Sequence, residues 1–174
     1  MAGILRGVLC SGLIFFASEL GMAEDVFSAR TLLNRAIDDA TERLERSSCV
    51  QLFGSSAVRL LQTADYRLLP LGPPHYRGNR PAVRVAFTVS DRHMVMINLD
   101  GPFVNPRLPL LGTTRFFNLI DSRRNGAVVL SDNDFRALIL LHELGHLTGT
   151  FEPEMGDVDK SRGNTATVMQ HCFD

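Results

Sequence analysis

A chain of 174 residues, 45% hydrophobic and 21% charged, has room for one domain of ordinary size and is too apolar to be wholly disordered. Its formal net charge of −1 gives no electrostatic reason to expect nucleic acid or an anionic membrane as partner. Lys160 is the only lysine, and the arginines that carry the other positive charges are scattered, as on a solvated surface with ion pairs.

The N-terminal stretch MAGILRGVLCSGLIFFASELGMAED has one early arginine, Arg6, then an apolar run from Gly7 to Ala17, then small residues. Gly21-Met22-Ala23 fits the small-x-small pattern of a cleavage site. Residues 1–23 are therefore expected to be a signal peptide, and residues 24–174 an exported domain, periplasmic or secreted. An uncleaved anchor is the alternative, but the run is shorter than the ~20 residues of an ordinary span, and no later stretch approaches that length. Cys10 precedes the apolar core and argues against a lipoprotein signal. Export leaves Cys49 and Cys172, and an even pair in an oxidising compartment is more often bridged than free. Such a bridge closes a loop of more than 120 residues, for which chain entropy gives roughly 4–5 kcal/mol. Two separately buried thiols are the alternative.

Residues 26–47 place Val26, Leu33, Ile37, Ala40 and Leu44 at helical spacing and predict an amphipathic helix with one buried stripe. The stretch QTADYRLLPLGPPHYRGNRP, rich in proline and glycine, reads as a long surface connection. AVRVAFTVS alternates Val83, Val85, Phe87 and Val89 with Arg84 and Thr88, the pattern of a half-buried strand. HMVMINLDGPF is a second strand, ended by Gly101-Pro102. Asn125-Gly126 between two short apolar runs predicts a hairpin. Ser131, with Asp134 three residues on, opens a helix in the manner of a capping box.

That helix, from Asn133 to Leu147, carries the chemistry. Residues four apart on an α-helix lie about 40° and 6 Å from one another. His142 and His146 can therefore offer two imidazole nitrogens to one ion, about 2.0–2.1 Å from each. Glu143 sits one position off that face, where it reaches a water beside the ion without being a ligand. This division of labour suits metal-assisted hydrolysis: the ion acidifies the water and the carboxylate takes its proton. Ala137, Leu138, Leu141, Leu144 and Leu147 supply apolar faces that bury the helix. Two histidines in so apolar a setting need a strong partner to offset burial. A satisfied core histidine is the bland reading.

His142-Glu143-Leu144-Gly145-His146 resembles the His-Glu-x-x-His signature of the zincin metallopeptidases. The likeness extends toward the metzincins, whose pattern continues with a glycine, here Gly149, and then a third ligand. Gly149 also suits the left-handed residue that ends a helix. Where metzincins carry a histidine or an aspartate, this chain has Glu152. The resemblance implies Zn2+ bound by His142, His146 and Glu152, with Glu143 as general base. Glu154 and Asp157 follow closely and are alternative third ligands, as is a residue from elsewhere such as His171. A metzincin methionine lies on a tight turn under the metal; Met169 fits that place, or else belongs to a short helix with its side chain in the core. In such folds an edge strand beside the cleft pairs with an extended peptide, and VMINLDGPF is either that strand or an interior one.

The resemblance is firm over residues 133–157 and implies an α+β, zincin-like single domain. Its parts are an early helix, a small twisted mixed sheet, the active-site helix and a short C-terminal segment. The function expected is hydrolysis of a peptide or protein substrate. A non-catalytic zinc-binding interaction domain and a metal-free packing domain are the alternatives. His75 is expected in an exposed loop and His93 in a half-buried turn. Tyr66 and Tyr76 are the only tyrosines, and either could stabilise an oxyanion.

Overall fold

The computed structural model describes residues 11–72, 75–77, 80–82, 85–106, 119–121, 126–128 and 130–173. Side chains are described for 26–72, 85–106 and 130–173. The described residues form an α+β arrangement of five α-helices, one short 3-10 turn (Ser90–Arg92), a three-stranded mixed sheet and two small hairpins.

The first helix, α1 (Ser11–Leu44), buries Ala29, Leu33, Ala36, Ala40 and Leu44, a stripe at helical spacing. Val26, expected in that stripe, is 41% exposed. Three alanines let α1 lie close along α4 (Asp132–Leu147), whose residues Phe135 to Gly145 are all buried. A helix apolar on every side must be covered on every side. The cover comes from α1, from α3 (Ala57–Thr63), from the sheet and from α5 (Val158–Cys172). The start of α4 is fixed as its sequence indicates. Ser131 Oγ accepts from the Asp134 amide at 3.1 Å, and Asp134 accepts from the Ser131 amide at 3.4 Å. Asp134 also pairs with Arg43 of α1, and the Arg43 guanidinium lies 3.7 Å from the centre of the Phe173 ring.

In the mixed sheet the central strand is β5 (Met94–Asn98). β1 (Asp65–Leu69) runs parallel to it, pairing Asp65 with Met94 through Leu69 with Asn98. β4 (Ala86–Val89) runs antiparallel on the other side, pairing Ala86 with Ile97 through Val89 with Met94. VMINLDGPF thus contributes an interior strand, and β4 is the outer strand that packs on α4. Its residues are all half-buried rather than cleanly alternating, and Val83 and Arg84 lie outside the described residues. Asn98 ends β5 and is 1% exposed. Its Oδ1 accepts from the amides of Leu71 and Asp100, and its Nδ2 donates to the Gly72 carbonyl. The chain beyond is tied to α4 by Arg136, which donates to the carbonyls of Phe103 and Val104.

The expected surface connection over residues 62–81 is corrected: it contains β1 and the hairpin of β2 (His75–Arg77) with β3 (Arg80–Ala82). The second hairpin, β6 (Leu119–Asp121) with β7 (Gly126–Val128), pairs Asp121 with Gly126. The hairpin around Asn125-Gly126 is present, although Asn125 itself lies outside the described residues. The C-terminal segment is the fifteen-residue α5. Met169 is on that helix, half-buried against the core, and not on a tight turn. Cys49, in α2 (Ser47–Phe53), is bridged to Cys172 with their Cα atoms 4.8 Å apart.

Candidate metal centre

The site is assembled by three pieces of chain: the last turns of α4, the loop that follows, and the first half of α5. His142 and His146 lie on one face of α4, their ring centres 5.3 Å apart. Gly149, at φ +75°, ends the helix in a conformation that favours glycine and turns the chain back. The Phe151 amide then donates to the Gly145 carbonyl at 2.9 Å, and the Phe151 ring lies against Gly145 and against Phe53. With Phe151 docked inward, Glu152 points outward and Glu154 comes back in. Glu154 Oε1 stands 2.9 Å from His142 Nε2 and 3.6 Å from His146 Nε2.

Among the described residues, His142, His146 and Glu154 form a group whose ligand atoms all lie within 4.8 Å of one another. Glu152, the residue favoured by register, is outside it: its side chain is 86% exposed and pairs with Lys160 Nζ at 3.0 Å. Asp157 is also outside it and caps α5, accepting from the amides of Asp159 and Lys160. Register counts residues along a loop, whereas the docking of Phe151 on the helix decides that Glu154, and not Glu152, faces the histidines.

The donor set suits a metal ion. In a tetrahedral site with arms of about 2.0–2.1 Å, neighbouring ligand atoms lie roughly 3.3 Å apart, and the contacts of 2.9 and 3.6 Å straddle that value. Two imidazoles and one carboxylate are the donors of many zinc sites. The ring tautomers fit as well. His146 Nδ1 lies 3.2 Å from the Phe151 carbonyl, which can only accept, so Nδ1 carries the proton and Nε2 is bare. His142 Nδ1 lies 3.0 Å from Thr165 Oγ1. Asn164 Nδ2 donates to Glu154 Oε1 at 2.9 Å. The side chains of both histidines are 11% exposed and that of Glu154 19%, so the ligand atoms are nearly dry yet not sealed.

Glu143 is 6% exposed, and its Oε2 accepts from Thr88 Oγ1 of β4 at 2.7 Å. Burial pushes its carboxyl above the ordinary range; the charges of His142 and His146 and the Thr88 hydrogen bond pull it back only in part. For His142, burial favours the neutral ring, but the hydrogen bond to Glu154 and the charges of Glu143 and Glu154 outweigh it, leaving the ring more basic than usual. Glu154 is also penalised by burial, yet its hydrogen bonds with His142, Asn164 and Ser161 and the His142 charge bring it down to about 2.

The other residues singled out in the sequence stand apart. His93 is exposed at φ +48°. His171, near the end of α5, accepts from Ser48 through its carbonyl and is not in the cluster. Tyr66 is buried and donates to the Leu61 carbonyl at 2.7 Å, and burial pushes its hydroxyl well above its ordinary value. The side chains of His75 and Tyr76 lie outside the described residues. Two surface grooves, one lined by Asp39, Arg43 and Asp134 and the other by Val26, Tyr66 and Leu69, are built from other residues than the cluster. Sequence reasoning missed Thr88, Phe151, Asn164 and Thr165. None belongs to a spaced motif, and only the fold brings them to the histidines.

No family model, curated protein or solved structure matches the chain. The likeness to zincins therefore rests on its motif residues alone.

Gly145 should be sensitive to substitution. A Cβ there would overlap the Phe151 ring, and that ring is buried in the core. Gly145→Ala is expected to cost about 1–3 kcal/mol, as overpacked cores do. It should also weaken zinc binding by moving the carbonyl that orients His146. Urea denaturation and competition with a chelating dye measure the two effects; a variant matching the parent in both would show that the ring yields freely.

Proposed function

We propose that this chain is an exported zinc-dependent hydrolase that cleaves peptide bonds. The observation that carries the reading is the meeting of His142, His146 and Glu154 with Glu143 next in sequence, buried and held by Thr88. His142, His146 and Glu154 would hold the ion. When bound, zinc supplies Lewis acidity, polarising a carbonyl and making a water easier to deprotonate. Glu143 is the proton acceptor. Thr88 occupies its Oε2 and leaves Oε1 for that work, and burial raises its affinity for a proton. The bridge between Cys49 and Cys172 supports export, since such bonds persist in oxidising compartments. No helix of the described residues is long and apolar enough to cross a membrane.

A non-catalytic zinc-binding domain is the second reading, favoured by the depth at which Glu143 is buried. The variant Glu143→Gln separates the two. On the hydrolase reading it keeps its zinc and fold while losing most of its hydrolysis of a peptide library, of the order of 100-fold or more for a lost general base. Parent protein that binds zinc and cleaves no peptide supports the binding domain, and a variant as active as the parent removes Glu143 from the role.

A further inference from the structure

We infer that Thr165 is the positioning residue that readies His142 for metal, an inference that rests on reading the cluster as a metal site. A neutral imidazole carries one proton, and only the nitrogen without it can bind an ion. At His142 the nitrogen facing Glu154 is Nε2, so an ion bound beside Glu154 displaces any proton there and requires the remaining ring proton on Nδ1. The partner of Nδ1 is the Thr165 hydroxyl at 3.0 Å, which can in principle donate or accept. Its own proton is already committed: Thr165 Oγ1 donates to the Ser161 carbonyl at 2.9 Å, one turn back along α5. What remains toward His142 is a lone pair, and the chain runs Nδ1–H to Oγ1–H to carbonyl. The tautomer of His142 is thereby set for metal binding through a side chain, where that of His146 is set through the backbone at Phe151.

The helix beneath is held in place. Val168 and Cys172, three and seven residues on from Thr165, are fully buried, and Cys172 is bridged to α2. Ser161 and Asn164 also reach Glu154 from the same helix, so α5 supplies partners to two of the three ligand residues.

Other threonines provide an internal contrast. Thr167 Oγ1 donates to the Gly163 carbonyl at 3.0 Å in the same four-residue pattern, and among the described residues the ring nitrogens of His142 and His146 meet Thr165 and Phe151 rather than Thr167. If Thr165 were only a helix threonine bonding to its own backbone, replacing either residue would have like effects.

The test is Zn2+ affinity of the full chain, measured by competition with a chelating dye, for the parent, Thr165→Val, Thr165→Ser and Thr167→Val. Thr165→Val should bind Zn2+ about 10–100-fold more weakly, the usual cost of losing such a supporting partner. Thr165→Ser should return to within about 3-fold of the parent and Thr167→Val should not differ from it. Equal affinity of Thr165→Val and parent overturns the role, and so does a loss that serine fails to rescue. Should Thr165→Val not fold, ring-nitrogen NMR of the zinc-loaded parent decides: a proton on His142 Nδ1 supports the role, and one on Nε2 overturns it. A parent that takes up no Zn2+ overturns the metal reading itself, an outcome distinct from each of these.

Discussion

His142→Ala, His146→Ala and Glu154→Gln should each lower Zn2+ affinity by more than about 100-fold, while Glu152→Gln leaves it unchanged. Loss of a supporting residue commonly costs 10–100-fold, and loss of a ligand should exceed that. The contrast between the two glutamates follows from where each side chain stands: Glu154 lies between the two Nε2 atoms, and Glu152 is at the surface with Lys160. Isothermal titration of the purified variants measures it. A large loss in Glu152→Gln with none in Glu154→Gln would restore the metzincin register and refute the geometry given above.

Affinity should also fall with pH, because proton and metal compete for His142 Nε2. Without metal, His142 is more basic than usual and Glu154 more acidic. The raised histidine contributes stability that is present below its unfolded pKa and lost as pH rises through the folded value. The lowered carboxylate contributes stability that is present above its unfolded pKa and lost as pH falls toward about 2. Their pairing thus supports the metal-free fold most strongly in mildly acidic solution. Above the His142 pKa the ring is neutral and bare at Nε2, and zinc takes the place of the proton. Zinc should therefore stabilise the fold more at neutral than at acid pH, and thermal unfolding with and without Zn2+ shows this directly.

The parts legible in the sequence were those written in short-range pattern. α4 was readable at both ends, from the Ser131–Asp134 box to Gly149, because caps and helix-ending glycines act within a turn. The pair His142 and His146 needs only helical periodicity. The bridge needed only the count of cysteines in residues 24–174, which is two. β1 was hidden because a strand of five residues, parallel to a partner nearly thirty residues on, has little local signature, and the prolines and glycines after it read as a connection. The edge of the sheet was equally hidden: β5 and β4 look alike as sequences, and only pairing puts β5 inside. The third carboxylate required knowing that Phe151 packs on Gly145, a contact made by the tertiary fold. Asn164 and Thr165 lie about twenty residues past His142 on another helix, where no spacing rule connects them to the motif.

The bridge between Cys49 and Cys172 should matter to both fold and site. It closes a loop with a sequence separation of 123 residues, and removing a native bridge from a small domain typically costs 2–5 kcal/mol. The double variant Cys49→Ala/Cys172→Ala avoids leaving a lone thiol and places a small apolar group in a core where both sulfurs are fully buried. Its urea midpoint should fall accordingly. The site should feel the change because Cys172 anchors the end of the helix whose first half carries Ser161, Asn164 and Thr165. Arg43 and Arg46 both donate to the Cys172 carbonyl, at 3.3 and 3.1 Å, and retain part of that anchorage without the sulfurs. Zinc affinity of the double variant, measured at a urea-free temperature where it is still folded, should drop less than in His142→Ala but more than in Glu152→Gln. Stability lost with zinc affinity untouched would show that the contacts of α5 around His142 and Glu154 hold it there unaided. An unchanged urea midpoint would show that the bridge constrains a chain already confined without it.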